Sequence, residues 1–136
     1  MLDAQVTEQS AMLYFGAQGF YEKWLNDFLD GEMANGFMAV VVPNERGGTD
    51  PIWSAAAATL PWDHFAAYGN TPVAATYYPR ATRYVARLNA WAPTGIMTST
   101  PEHMSQWTDW LAVDNNHKSD AELFLTLYSE LSVRPQ

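Results

Sequence analysis

The chain has 136 residues, 48% of them apolar and 14% aromatic, which suits one domain with an ordered core. It contains no cysteine, so disulfides, thiolate metal sites and cysteine nucleophiles are excluded. Its formal net charge of −8 argues against nucleic-acid binding, because an anionic surface repels phosphate backbones.

The sequence also lacks signals for a membrane. No apolar run approaches the roughly 20 residues that a membrane span needs. The N-terminal sequence has neither the basic nor the apolar region of a signal peptide. We therefore expect no membrane contact, and a location in the cytoplasm or within a larger particle.

The N-terminal part of the chain predicts one long amphipathic helix. Thr7 is a suitable N-cap for a helix over residues 8–30, and Gly31 is a suitable left-handed stop. Gly16 and Gly19 each cost about 1 kcal/mol relative to Ala inside a helix, so they indicate a bend or a close approach by another backbone. We expect a single kinked helix that packs closely against a sheet.

Residues 37–42 form the clearest predicted strand. The run is apolar and does not alternate with polar residues, which is typical of a strand covered on both faces, and Pro43 ends it. The glycine-containing loop over residues 44–50 does not match a phosphate-binding loop. It is interpreted as a mobile surface loop, with a binding loop as the alternative.

Two short helices are expected next. Asp50 followed by Pro51 is a helix N-cap with proline at the first helical position. Thr59 and Pro61 are suitable residues to begin a second helix, which Gly69 would end.

The central stretch over residues 71–93 has two interpretations. Residues 73–78 alternate at strand spacing, and Pro79 suits the second position of a turn, which together predict a β-hairpin. Helical spacing from Pro79 onward would instead place Arg80, Arg83 and Arg87 on one side of a helix. We predict the hairpin.

The C-terminal part predicts two more helices. Thr100 and Pro101 form a strong helix start, and Ser119 with Glu122 forms a capping box before a leucine-rich segment. A strand containing Leu123 stays open as the alternative for that segment. The sequence thus predicts one α+β domain over residues 1–136, with helices packed on a small, mainly antiparallel sheet.

The search for catalytic chemistry gives no motif. Two pairs, Asp63 with His64 and Glu102 with His103, are adjacent in sequence, and adjacent helical residues point about 100° apart, so neither is a ready acid–base dyad. No metal site, cofactor or catalytic residue is predicted. If a small-molecule pocket exists, its candidate residues are His64, His103, Trp62 and Trp107.

The pattern of charge and aromatic residues favours interaction over catalysis. The candidate interface residues are Arg80, Arg83, Arg87, Trp91, Tyr77 and Tyr78, which lie in the cationic centre of an anionic chain. The expected partner is another protein or a second copy of the chain. The simpler interpretation is that the three arginines neutralise acids of the same chain.

We therefore predict a structural or interaction protein, a small subunit or adaptor of an assembly such as a virus particle or homo-oligomer. The alternatives are a binding domain or small enzyme with a tryptophan-lined pocket, and an acidic inhibitor that mimics nucleic acid.

Overall fold

The computed structural model describes residues 2–34, 36–43, 50–97, 122–123, 125–127 and 130. These residues contain the following helices: α1 Leu2–Phe15, α2 Gln18–Asp30, α3 Pro51–Ser54, α4 Ala56–Tyr68 and α5 Thr71–Trp91. The described positions from 122 to 130 are also helical, which contradicts the strand alternative there. None of the described helices is long and apolar enough to cross a membrane.

The predicted α+β fold is wrong, because the described part of the chain contains helices and no strand. Residues 37–42 are mostly buried, as expected for the predicted strand. In place of a strand, the described residues here form an isolated antiparallel β-bridge between Glu32 and Met38. Side chains take the place of a neighbouring strand. The Ser54 hydroxyl bonds to both the N–H and the carbonyl of Met38, each at 3.1 Å, and Trp24 Nε1 donates to the Val42 carbonyl.

The N-terminal segment forms two helices rather than one kinked helix. Gly16 separates them with φ of +56°, a conformation that glycine adopts without strain. Among the described residues, no heavy atom lies within 4 Å of the position of a Cβ at Gly16 or Gly19, so the close approach predicted for them is wrong. Thr7 does not cap a helix: it lies within α1 and its hydroxyl donates to the Asp3 carbonyl. Helix α2 ends at Asp30, as expected, although Gly31 is right-handed there.

Local signals in the next segment are confirmed at both ends. Asp50 caps α3 by accepting hydrogen bonds from the N–H groups of Ile52 and Trp53. Gly69 ends α4 in the left-handed conformation, with φ of +66°. The predicted start of that helix is wrong, because α4 begins at Ala56 and includes Pro61.

The predicted central hairpin is also wrong, because residues 71–91 form the single helix α5. Asn70 caps it by accepting from the Val73 N–H. Pro79 lies inside the helix and lacks an N–H, which removes the hydrogen bond to the carbonyl of Ala75. Ala75 is exposed, so water can replace that bond. The helical interpretation of the arginine spacing was the correct one.

Helix α4 lies at the centre of the described structure and packs against α1, α2 and α5. Two apolar clusters form the core. The first joins residues of α1, α2, α4 and α5, including Met12, Leu25, Phe28, Leu60 and Tyr77. The second joins Phe37, Ile52, Tyr84, Leu88, Met97 and Leu125. The predicted helix start at Thr100 and Pro101 lies outside the described residues.

Candidate carboxylate site

Helix α4 presents polar side chains to two different neighbours. Asp63 accepts a hydrogen bond from Gln9 Nε2 of α1 at 3.0 Å. His64 faces α2, and its Nε2 lies 3.5 Å from Glu22 Oε1. The two residues therefore do not form an acid–base dyad. This agrees with the prediction from their adjacency in sequence, which makes their side chains point in different directions. Each instead meets a glutamate that is distant in sequence.

The first of these glutamates is Glu8, which is only 1% exposed. Burial, a hydrogen bond with Asp63 and the charge of Asp63 together raise its pKa to about 10, whereas a hydrogen bond with Thr59 opposes the shift. Glu8 is therefore protonated at neutral pH. The pair is a neutral carboxylic acid beside a second carboxyl group, sealed between α1 and α4.

The second glutamate, Glu22, is partly open to solvent, with 33% of its side chain exposed. Gln18 Nε2 and Asn70 Nδ2 both donate to Oε1, each at 2.9 Å. Three elements thus fix one carboxylate: α2 carries it, the α4–α5 connection supplies Asn70, and His64 lies behind it. We call Gln18, Glu22, His64 and Asn70 the carboxylate site.

His64 is fully buried in this site. Burial lowers the pKa of His64, and the nearby Glu22 opposes that shift. Its imidazole is therefore neutral at pH 7. A neutral ring behind Glu22 leaves the orientation of the carboxylate to the two amide donors.

Arg80 and Arg83 meet Glu32 just beyond the end of α2. Arg83 donates through Nε to Oε1 at 2.9 Å and through Nη2 to Oε2 at 2.6 Å. Arg80, which is 3% exposed, donates through Nη1 to Oε2 at 3.2 Å. The hydrogen bonds from Arg83 lower the pKa of Glu32, despite an opposing effect of burial. In the structure, these two arginines pair with an acid of the same chain.

The other predicted interface residues are not gathered at one surface. Arg87 lies over the Phe37 ring, 5.8 Å from its centroid, and Trp91 meets the same ring edge-on. Tyr77 is buried and donates to Asn26 Oδ1 at 2.8 Å, whereas Tyr78 is exposed. Their role in an interface stays a prediction.

The predicted pocket residues are only partly described. Trp62 is half-exposed and contacts Phe65, on a different side of α4 from the buried His64. His103 and Trp107 lie outside the described residues. The residues that the sequence did not single out are Glu8, Glu22 and Glu32. Only Glu22 carried a local signal, since Gln18 precedes it by one helical turn.

No group of three or more His, Asp or Glu within the described ranges is arranged to hold a metal ion. The described architecture is a set of packed helices with acid side chains fixed between them. The described residues thus form a helical domain in which the Glu22 carboxylate is held between α2 and the α4–α5 connection.

The chain belongs to the family of bacterial α-L-rhamnosidase six-hairpin glycosidase domains, whose family model matches residues 1–133. No curated protein and no solved structure is significantly similar to it. The family overturns the prediction of a structural or assembly protein such as a virion component, and indicates a glycosidase-related domain instead. The sequence contains no short catalytic motif that indicates a glycosidase. The prediction therefore relied on composition and charge, which favoured an interaction protein.

Proposed function

We propose that the protein acts on α-L-rhamnosides as a glycosidase domain, with the carboxylate site as its sugar-binding site. The family match over residues 1–133 carries this proposal. Glycoside hydrolysis depends on carboxyl groups that flank the scissile bond and donate or accept protons. A carboxylate must therefore be both accessible and held in one orientation.

Glu22 meets both requirements. One-third of its side chain is exposed, and the described amide donors both bind Oε1, which leaves Oε2 for a sugar hydroxyl or a water molecule. Asn70 and Gln18 fix the carboxylate from the α4–α5 connection and from α2, so a ligand finds it already oriented.

The pair of Glu8 and Asp63 is the less suitable candidate, although it combines a proton donor with a second carboxyl group. Catalytic carboxyl groups of glycosidases lie about 5–5.5 Å apart in retaining enzymes and about 6.5–9.5 Å apart in inverting ones. Glu8 and Asp63 are in hydrogen-bond contact and buried, so no glycosidic bond fits between them. Their role in the proposal is to fix α1 against α4.

The test is hydrolysis of 4-nitrophenyl α-L-rhamnopyranoside by the full chain, followed as release of nitrophenolate. We expect turnover of this substrate and none of the matching β-D-glucopyranoside. Glu22→Gln should reduce kcat/KM by about tenfold or more, because an amide carries no negative charge and cannot act as a base.

Asp30→Asn is the matched control, since Asp30 is an exposed acid on the same helix, two turns from Glu22. It should leave turnover unchanged. Absence of hydrolysis in the folded wild-type chain would overturn the proposed activity. Full activity in Glu22→Gln would overturn the assignment of the site.

A further inference from the structure

The contact between Glu32 and the two arginines of α5 is not balanced in charge. Arg80 and Arg83 each carry one positive charge, and both bind the same carboxylate. One positive charge therefore remains on this surface of a chain whose formal net charge is −8. We call Arg80, Arg83 and Glu32 the arginine pair site.

The two guanidinium groups also retain unused donors. Glu32 takes Nη1 of Arg80 together with Nε and Nη2 of Arg83. Within the described part of the chain, Arg80 Nε is buried without an acceptor, and Arg83 binds Glu32 through Nε and Nη2. A buried guanidinium N–H without a partner is costly, which favours a second acceptor at this place.

The geometry is suitable for a small anion. Arg80 and Arg83 are three residues apart on α5, so their side chains lie on the same face one turn apart. Glu32 holds both groups in place before any ligand arrives, and Arg83 remains 54% exposed to solvent. The site is therefore built on its buried side and accessible on the other.

We propose that the arginine pair site binds the carboxylate of an acidic sugar, a uronate. One remaining positive charge matches one carboxylate, and the planar guanidinium fork matches its two oxygens better than a lysine does. The choice of a sugar as the bearer of the carboxylate rests on the proposed function. The substrate of the domain would then be a rhamnoside that also contains a uronic acid.

The experiment is a titration of the full chain with D-galacturonate, followed by calorimetry and by the NMR signal of the arginine Nε–H groups. We expect binding that weakens at high salt, and a shift of the Arg83 Nε–H signal. Arg83→Gln should weaken binding by about tenfold or more, because charge-assisted hydrogen bonds are lost. Lys23→Gln is the matched control, since it removes one positive charge from α2, and it should bind like the wild type.

Titrations with two other small molecules identify which chemical group of the ligand is bound. L-Rhamnose should leave the Arg83 signal unchanged, since it has no carboxylate. Acetate should bind more weakly than galacturonate, and equal binding would overturn the assignment to a sugar acid. No binding of galacturonate, or equal losses in Arg83→Gln and Lys23→Gln, would overturn the site itself.

Folding is checked by circular dichroism, and Arg83→Lys serves if Arg83→Gln unfolds. The lysine keeps the charge but loses the planar fork, so we expect it also to bind galacturonate more weakly than the wild type, and wild-type binding would overturn the fork geometry. These measurements do not depend on hydrolysis of a rhamnoside. Failure of the arginine pair site therefore leaves the proposed activity untouched, whereas failure of the proposed activity removes the reason for a sugar as the ligand but not the anion-binding result.

Discussion

Glu8 and Glu32 are the same residue type in opposite states. Glu8 is sealed between α1 and α4 beside another acid, and its pKa rises to about 10. Glu32 lies beyond the end of α2 between two guanidinium groups, and its pKa falls. One glutamate is therefore a neutral hydrogen-bonding group, whereas the other is an anion that holds a helix in place. Neighbouring charge and access to water decide the difference.

The largest expected effect is the pH dependence of stability caused by Glu8. Between the ordinary pKa of 4.5 and about 10, the folded chain holds a proton that the unfolded chain has released. The stabilisation is thus complete below the unfolded pKa and is lost as pH rises, by at most about 1.4 kcal/mol for each pH unit.

We expect the free energy of unfolding to fall by on the order of 5 kcal/mol between pH 5 and pH 9 through this group. Urea denaturation of the wild type and of Glu8→Gln across that range measures it. The difference between the two proteins removes the contributions of other titrating groups. Parallel curves for the two proteins would show that Glu8 does not keep its proton.

Removal of the charge at Glu32 should have the next largest effect. Glu32→Gln leaves the buried Arg80 without its anion, which we expect to destabilise the fold by about 2–4 kcal/mol at pH 7. Because the pKa of Glu32 is lowered, its stabilisation is present above the unfolded pKa and is lost as pH falls through the folded pKa. The variant and the wild type should therefore converge in acid. A loss no larger than that of Asp30→Asn would contradict this prediction.

A smaller effect concerns the bend that places Glu8 against Asp63. Gly16→Ala should destabilise the fold by about 1–2 kcal/mol, because φ of +56° is unfavourable for a residue with a Cβ. Gly19→Ala should stabilise it by up to about 1 kcal/mol, since Gly19 lies within α2 and nothing lies near a Cβ there. Thermal unfolding of both variants decides the matter. Equal shifts in the same direction would show that the bend does not depend on glycine.

The smallest expected effect is that of Glu8→Gln near pH 4, where Glu8 is protonated in the folded chain and mostly protonated in the unfolded one, and we expect it to be under about 1 kcal/mol. A neutral amide closely matches a protonated carboxyl group in size and can also donate to Asp63. Equilibrium unfolding in urea at pH 4 measures this effect. At pH 7 the variant should be more stable than the wild type, since it takes up no proton on folding, whereas Glu32→Gln should be less stable. A loss as large as that of Glu32→Gln would mean that Glu8 is ionised in the folded chain.

The sequence correctly predicted structural features that depend only on residues a few positions apart, such as helix caps and helix ends. Asp50 caps α3 and Gly69 ends α4 because a cap or a left-handed turn depends on a local hydrogen bond or a missing Cβ. The predictions of a strand at residues 37–42 and of a hairpin in place of α5 were wrong for a different reason. A buried apolar run does not reveal whether a strand or the Ser54 hydroxyl will satisfy its backbone.

In α5 the turn preference of Pro79 competed with helical spacing, and the helix accommodates Pro79 at a point where Ala75, the residue that loses its hydrogen bond, is exposed to water. The carboxylate site could not be predicted from the sequence for another reason. Asn70 and His64 meet Glu22 across more than 40 residues of chain, and no spacing rule links them. The family match indicates a glycosidase-related domain, which these distant contacts did not reveal.

The two hydrogen bonds between Ser54 and Met38 have a consequence for how the fold opens. In a sheet, exchange of a buried amide hydrogen with solvent requires a neighbouring strand to separate, whereas here the Met38 N–H is protected by one hydroxyl. A rotation of that side chain breaks both bonds at once, since the same oxygen also donates to the Met38 carbonyl. The amides of the segment around Met38 should therefore exchange earlier than those of the central helix.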